Sequence, residues 1–146
     1  LNVYKIEANQ IELEITESSV VSNRDAAVAT LREMRAVGVR VAIDDFGTGH
    51  SNLCYLKHLP VDTLKIDRAF VRDLATDTND EAIVGAVVKL GHSLGLSVKA
   101  EGVEEESQSR LLSALGCDEA QGYLFGRPLP ADAFEKLLRA GKEEGA

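Results

Sequence analysis

Six polar side chains stand at, or just beyond, the ends of short apolar runs: Glu14, the adjacent Asp44 and Asp45, Lys65, Glu101 and Gln121. From Glu14 to Asp44 to Lys65 to Glu101 to Gln121 the separations are 30, 21, 36 and 20 residues, the lengths of successive strand–helix steps. If the strands are parallel, these side chains gather at one edge of a sheet. Four carboxylates converging on one lysine are costly without a further cation, since like charges ~4 Å apart repel by about 4 kcal/mol at an effective dielectric near 20. A divalent ion removes that cost. Hard oxygen donors suit Mg²⁺ or Mn²⁺, and two such ions clamp both sides of an in-line phosphoryl displacement. These residues suggest metal-assisted phosphoester chemistry.

The elements that must position them read as parallel βα units, because short β-branched runs alternate with segments of helical period. The runs are 11–15, 39–43, 63–66, 96–100 and, more weakly, 120–125. Asn23 is placed to cap a helix carrying Val28, Leu31, Met34 and Val37 on one stripe and stopped by Gly38. A second stripe holds Ile83, Val84, Val87, Leu90 and Leu94 before Gly95. Further helices are expected from Ser51 to Pro60, over 105–115, and from Ala131 to about Ala140, with 141–146 a frayed tail. In a βα barrel the C-terminal strand edge is where active sites lie. A complete eight-unit barrel takes about 250 residues, so the expectation is an incomplete TIM-type α/β barrel of five units, a single partial domain over 1–146. Its sheet edges predict association with another copy, or with the missing units of a longer chain.

Composition narrows the classes. The 146 residues carry 16 Lys plus Arg against 24 Asp plus Glu, a net charge of −8, with 45% hydrophobic residues. That is enough apolar material for a core, and the acidic balance argues against a nucleic-acid polymer or an anionic membrane as partner. Cys54 and Cys117 form neither a disulfide framework nor a metal motif, which fits a reduced, cytoplasmic setting. No apolar run approaches ~18 residues, so no membrane span is expected.

Five strings then carry a resemblance: Glu12-Leu13-Glu14-Ile15-Thr16-Glu17-Ser18, Asp44-Asp45-Phe46-Gly47-Thr48-Gly49, Leu64-Lys65-Ile66-Asp67, Ala100-Glu101-Gly102-Val103-Glu104 and Gln121-Gly122-Tyr123-Leu124-Phe125. In this order, one per strand from about Ile11 to Leu138, they resemble the motifs of EAL-domain cyclic di-GMP phosphodiesterases. The resemblance implies hydrolysis of one 3′,5′ phosphodiester of cyclic di-GMP to linear pGpG in bacterial signalling, with two Mg²⁺ or Mn²⁺ ions. It implies Glu14 and Asp44 as ligands of a first ion, with Asp44 bridging to a second that Asp45 also holds. Lys65 matches the lysine that contacts the attacking water and the phosphate region, and Glu101 the acid proposed as its general base or as a water-mediated ligand. Gln121 matches a residue positioning water, and Glu17 one that orders the active-site loop containing Phe46, Gly47, Thr48 and Gly49. The Glu-Ala-Leu signature and a later asparagine ligand of the family do not occur in these 146 residues. The alternative is therefore a non-catalytic module that binds cyclic di-GMP without cleaving it, or an interaction module. A homodimer, and tethering to a membrane sensor through other parts of a longer protein, are further expectations.

Simpler roles compete for several of these residues. Acidic pairs before glycine usually make turns; a lysine ending an apolar strand can snorkel to the rim; Glu104 and Glu105 suit a solvated first helical turn. His50, His58 and His92 lack ligand spacing and read as surface or loop residues, and the cysteines read as small core residues. Lys99 stands where the family usually has an apolar residue. Strand parity puts it one layer below Glu101, as Glu12 lies below Glu14, which predicts an ion pair between Lys99 and Glu12.

Overall fold

The computed structural model describes residues 4–16, 24–47 and 56–143, with the side chains of 24, 25 and 140–143 left out of account. Five strands form one parallel sheet in chain order: β1 (Glu12–Thr16), β2 (Arg40–Phe46), β3 (Thr63–Ile66), β4 (Ser97–Ala100) and β5 (Glu119–Ala120). Helices α1 (Arg24–Ala36), α2 (Arg68–Arg72), α3 (Thr78–Ser93), α4 (Glu106–Leu115) and α5 (Ala131–Glu143) complete the α/β architecture. Among the described residues no helix is long and apolar enough to cross a membrane.

Alternation along each strand sorts the two faces. Val41, Ile43, Leu64, Ile66, Val98 and Ala100 are buried in one cluster with Leu31 of α1, Val84, Val87 and Val88 of α3, and Leu112 of α4. This is the helix-covered face. The residues between them, Glu12, Glu14, Arg40, Asp44, Thr63, Lys65, Lys99 and Glu101, belong to the opposite, polar face. Helix α3 lies so close to the sheet that a Cβ on Gly91 would come 2.4 Å from Val98 Cγ2.

The strand positions expected from sequence hold for β1 to β4, and β3 occupies the expected residues Thr63–Ile66. The fifth does not: of the run 120–125 only Ala120 is in a strand, with Glu119 before it, and a turn follows. Beyond Ala120, the Gln121 carbonyl accepts from Val103 N–H, Leu124 N–H donates to the Val103 carbonyl and Phe125 N–H to that of Gly122. Gly122 lies against backbone, where a Cβ would meet Val103 O at 2.0 Å. Apolar composition suggested a strand; the loop after β4 takes those backbone groups instead. Val37, expected on the α1 stripe, is 64% exposed because the helix stops at Ala36. The cap at Asn23 and the first half of the expected helix after Ser51, residues 51–55, lie outside the described residues, and 57–60 are turn and irregular chain. α2 was not expected. Asp67 caps it by accepting from Ala69 N–H at 2.7 Å.

Candidate functional site

Lys65 is the centre of the polar face. It ends an apolar strand, yet its side chain is only 2% exposed, and its ammonium meets three carboxylates: Glu14 at 2.5 Å, Glu101 at 2.7 Å and Asp44 at 3.1 Å. The acids come from β1, from the residue after β4 and from β2, on both sides of β3. Parallel pairing puts these strand ends at one edge, as the spacing of the residues predicts. Burial alone would pull the Lys65 ammonium down, but hydrogen bonds to Glu101, Glu14 and Asp44 outweigh it and hold the group above its ordinary range. With three carboxylates on its ammonium, Lys65 is placed as a donor.

A bulge explains how two adjacent aspartates serve one edge. Ile43 pairs with Leu64 and Phe46 with Ile66, so Asp44 and Asp45 together face the single residue Lys65. Asp45 takes φ 55, the left-handed region that non-glycine residues seldom adopt, and its N–H donates to Asp44 Oδ1 at 3.1 Å. The carboxyl of Asp45 is raised, first by the charge of Asp44 and then by burial and by Asp67. Phe46 turns back into the core, and Gly47 has φ 95 with its open side against the Phe70 ring. Glu17, Thr48 and Gly49 lie outside the described residues.

Glu101 is followed by Gly102 at φ 70, where a Cβ would press within 2.5 Å of Arg68 Cβ. The chain can turn away directly after the carboxylate only with glycine at that position. Gln121 is exposed and lies outside the group on Lys65. It borders a cavity of about 470 Å³ together with Lys99, Glu119, Phe125, Arg127 and Phe134.

The expected Lys99–Glu12 ion pair is present at 2.9 Å, and Lys99 also meets Glu119 at 3.1 Å. Glu119 was missed although its position signals it: it stands two residues before Gln121, as Glu12 stands before Glu14. Asp67 caps α2 and acts on Asp45. His92, read as a surface residue, lies on α3 and meets Asp118 at 2.9 Å. Cys117 is half-buried, its thiol directed to the carbonyls of Val98 and Glu119 and pushed up chiefly by burial, as suits a small packing residue. Cys54 and His50 lie outside the described residues.

As a donor set, Glu14, Asp44, Asp45 and Glu101 offer only hard oxygens, which fit Mg²⁺ or Mn²⁺. The mutual repulsion of Asp44 and Asp45 is an excess of negative charge that a divalent ion would relieve. Among the described residues no three acids, histidines or cysteines are grouped about a common metal position, the oxygens of Glu14, Asp44 and Glu101 being turned to Lys65.

A family model described as the EAL domain matches residues 1–128. The bifunctional diguanylate cyclase/cyclic di-GMP phosphodiesterase MucR of Pseudomonas aeruginosa is 50% identical over 129 residues, 88% of this chain and 19% of MucR. The solved MucR phosphodiesterase in complex with c-di-GMP superposes with a TM-score of 0.86 at 48% identity, over 92% of this chain and 54% of that one. The EAL domain of Mycobacterium smegmatis DcpA gives 0.90 at 46% identity, over 96% and 63%. Klebsiella pneumoniae BlrP1, solved as a manganese/cyclic di-GMP complex, gives 0.81 at 37% identity, over 88% and 33%. The chain spans about a fifth of the length of the curated relatives it matches.

Proposed function

This chain belongs to the EAL-domain family, and from that premise we propose that it supplies the acidic strand ends of a divalent-metal-dependent phosphodiesterase that hydrolyses cyclic di-GMP to linear pGpG. The observation that carries the reading is the buried Lys65 ammonium held by Glu14, Asp44 and Glu101 from three different strand ends. MucR and BlrP1 support the substrate, since both were solved with the cyclic dinucleotide. Manganese in the BlrP1 complex supports a divalent ion.

In this reading Glu14, Asp44 and Asp45 would hold the metal, which supplies charge neutralisation at the phosphodiester. Glu101 accepts a proton from the attacking water as its oxygen bonds to phosphorus and the P–O3′ bond breaks. The 3′-oxygen leaves with the electron pair and takes up a proton, giving a 5′-phosphate on pGpG. Lys65, fixed as a cation, holds Glu101 in place and donates to the water or to a phosphate oxygen. Gln121 positions water at the rim, and the family resemblance gives Glu17 the ordering of the loop that contains Phe46, Gly47, Thr48 and Gly49. The setting is cytoplasmic, as for a nucleotide messenger.

A second reading is binding of cyclic di-GMP without cleavage. Incubation of the full-length protein with cyclic di-GMP and Mg²⁺ or Mn²⁺, with products separated by chromatography, decides between the two. Metal-dependent pGpG formation that Asp44→Asn and Glu101→Gln abolish is expected. Tight binding with no pGpG supports the binder, and unchanged turnover in Glu101→Gln overturns the mechanism.

A further inference from the structure

Beneath the mouth lies a second charged layer. Lys99 bonds Glu12 on β1 and Glu119 on β5, while the other oxygen of Glu12 accepts from Thr63 Oγ1 at 2.9 Å and meets Arg40 at 3.3 Å. Each of these acids stands two residues before a site residue: Glu12 before Glu14, Glu119 before Gln121. Lys99 itself stands two residues before Glu101. It is also the register partner of Lys65 on the neighbouring strand, so both side chains leave the same face of the sheet. Each has its own carboxylates, and none of the contacts crosses over.

Thr63 shows how close the layers are. It lies on β3, two residues before Lys65, and Glu12 already reaches it. If Lys99 lost its charge, Glu119 would lose its cation, and Glu12 would keep Arg40 and Thr63 on one oxygen and have nothing on the other. Lys65 would then be the neighbouring ammonium on that face. Two freed carboxylates would compete with Glu14, Asp44 and Glu101 for it.

We infer that Lys99 is a positioning residue that insulates the site: by holding Glu12 and Glu119 in the lower layer it leaves Lys65 to the three carboxylates of the mouth. The inference rests on the proposed phosphodiesterase site for its consequence, but its geometry is independent of turnover.

Lys99→Met in the full-length protein tests it by crystal structure and by Mn²⁺ titration. An oxygen of Glu12 or Glu119 is expected on Lys65 Nζ, with at least one contact to Glu14, Asp44 or Glu101 lost. Mn²⁺ affinity is expected to fall about 10–100-fold, the usual effect of removing a residue that orients metal ligands. Lys99→Arg, which keeps the charge, restores most of that affinity. If Lys99→Met does not fold, the triple variant Lys99→Met/Glu12→Leu/Glu119→Leu carries the test, since it has no competing acids: insulation predicts intact Lys65 contacts and near-normal Mn²⁺ binding. A folded Lys99→Met with all three Lys65 contacts and unchanged affinity overturns the inference, as does a triple variant that has lost those contacts. A wild-type protein that does not bind Mn²⁺ defeats the metal reading instead, and the crystal structures still decide the role of Lys99.

Discussion

Replacing Lys65 by Met keeps most of the side-chain volume and removes one charge. The oxygens of Glu14, Asp44 and Glu101 lie 2.5 to 3.1 Å from the same nitrogen, so no two of them are more than about 6 Å apart. At that distance and an effective dielectric near 20, each ionised pair repels by roughly 3 kcal/mol. Three pairs would then compete with nothing to offset them. Glu14 is 48% exposed, so solvent screens part of this, and the expected net loss is about 3–5 kcal/mol, as for other broken buried pairs. Urea denaturation in EDTA at neutral pH measures it as a shift in midpoint at unchanged slope. Adding Glu101→Gln to Lys65→Met removes two of the three repulsive pairs, so the double variant should be more stable than Lys65→Met alone. Mn²⁺ should likewise stabilise Lys65→Met more than the wild type. A loss below about 1 kcal/mol, or no recovery in the double variant, would refute the picture of a lysine neutralising converging acids.

Gly122→Ala should be severe, because its Cβ would fall 2.0 Å from the Val103 carbonyl oxygen, a backbone atom that cannot rotate away; a drop in thermal midpoint with displacement of the loop after Glu101 is expected. Asp118 accepts from the N–H of fully buried Val98 at 2.7 Å, so Asp118→Ala should cost about 1–3 kcal/mol at pH 7. The Asp118 carboxyl is held below its ordinary range, first by that N–H and then by His92, so its contribution is present above the usual carboxylate pKa and lost as pH falls through the lowered value. The penalty of Asp118→Ala, read by urea denaturation, should therefore shrink in strong acid. Asp45→Asn, which removes a like charge beside Asp44, should leave metal-free stability equal or higher by urea denaturation while lowering Mn²⁺ affinity in titration.

The placement of Glu14, Asp44, Lys65 and Glu101 was legible because strand parity and βα spacing are local properties, and parallel pairing then converts them into one edge. The Lys99–Glu12 pair was legible for the same reason. What sequence did not yield depends on contacts between distant backbones. β5 is short because Gly122 and Val103 meet, and nothing in the run 120–125 itself signals that. The bulge was hidden because two aspartates before a glycine look like an ordinary turn, whereas only the register against Leu64 and Ile66 shows the extra residue. α2 is five residues long, too short for helical periodicity to announce it.

The strands pair only with their neighbours in sequence, but the ion pairs do not. Lys99 on β4 reaches Glu12 on β1, a sequence separation of 87 residues, and Lys65 on β3 reaches Glu14 on the same first strand. Laid flat, β1 and β4 would stand about 14 Å apart, so a 2.9 Å bond between their side chains requires the sheet to bend toward its polar face. Closing the step between neighbouring strands costs less chain entropy than closing the 87 residues between Glu12 and Lys99. The bridges across the concave side have no such local route and become available only once several strands have docked and curled. The charged layers thus fix a curvature that strand pairing alone leaves undetermined.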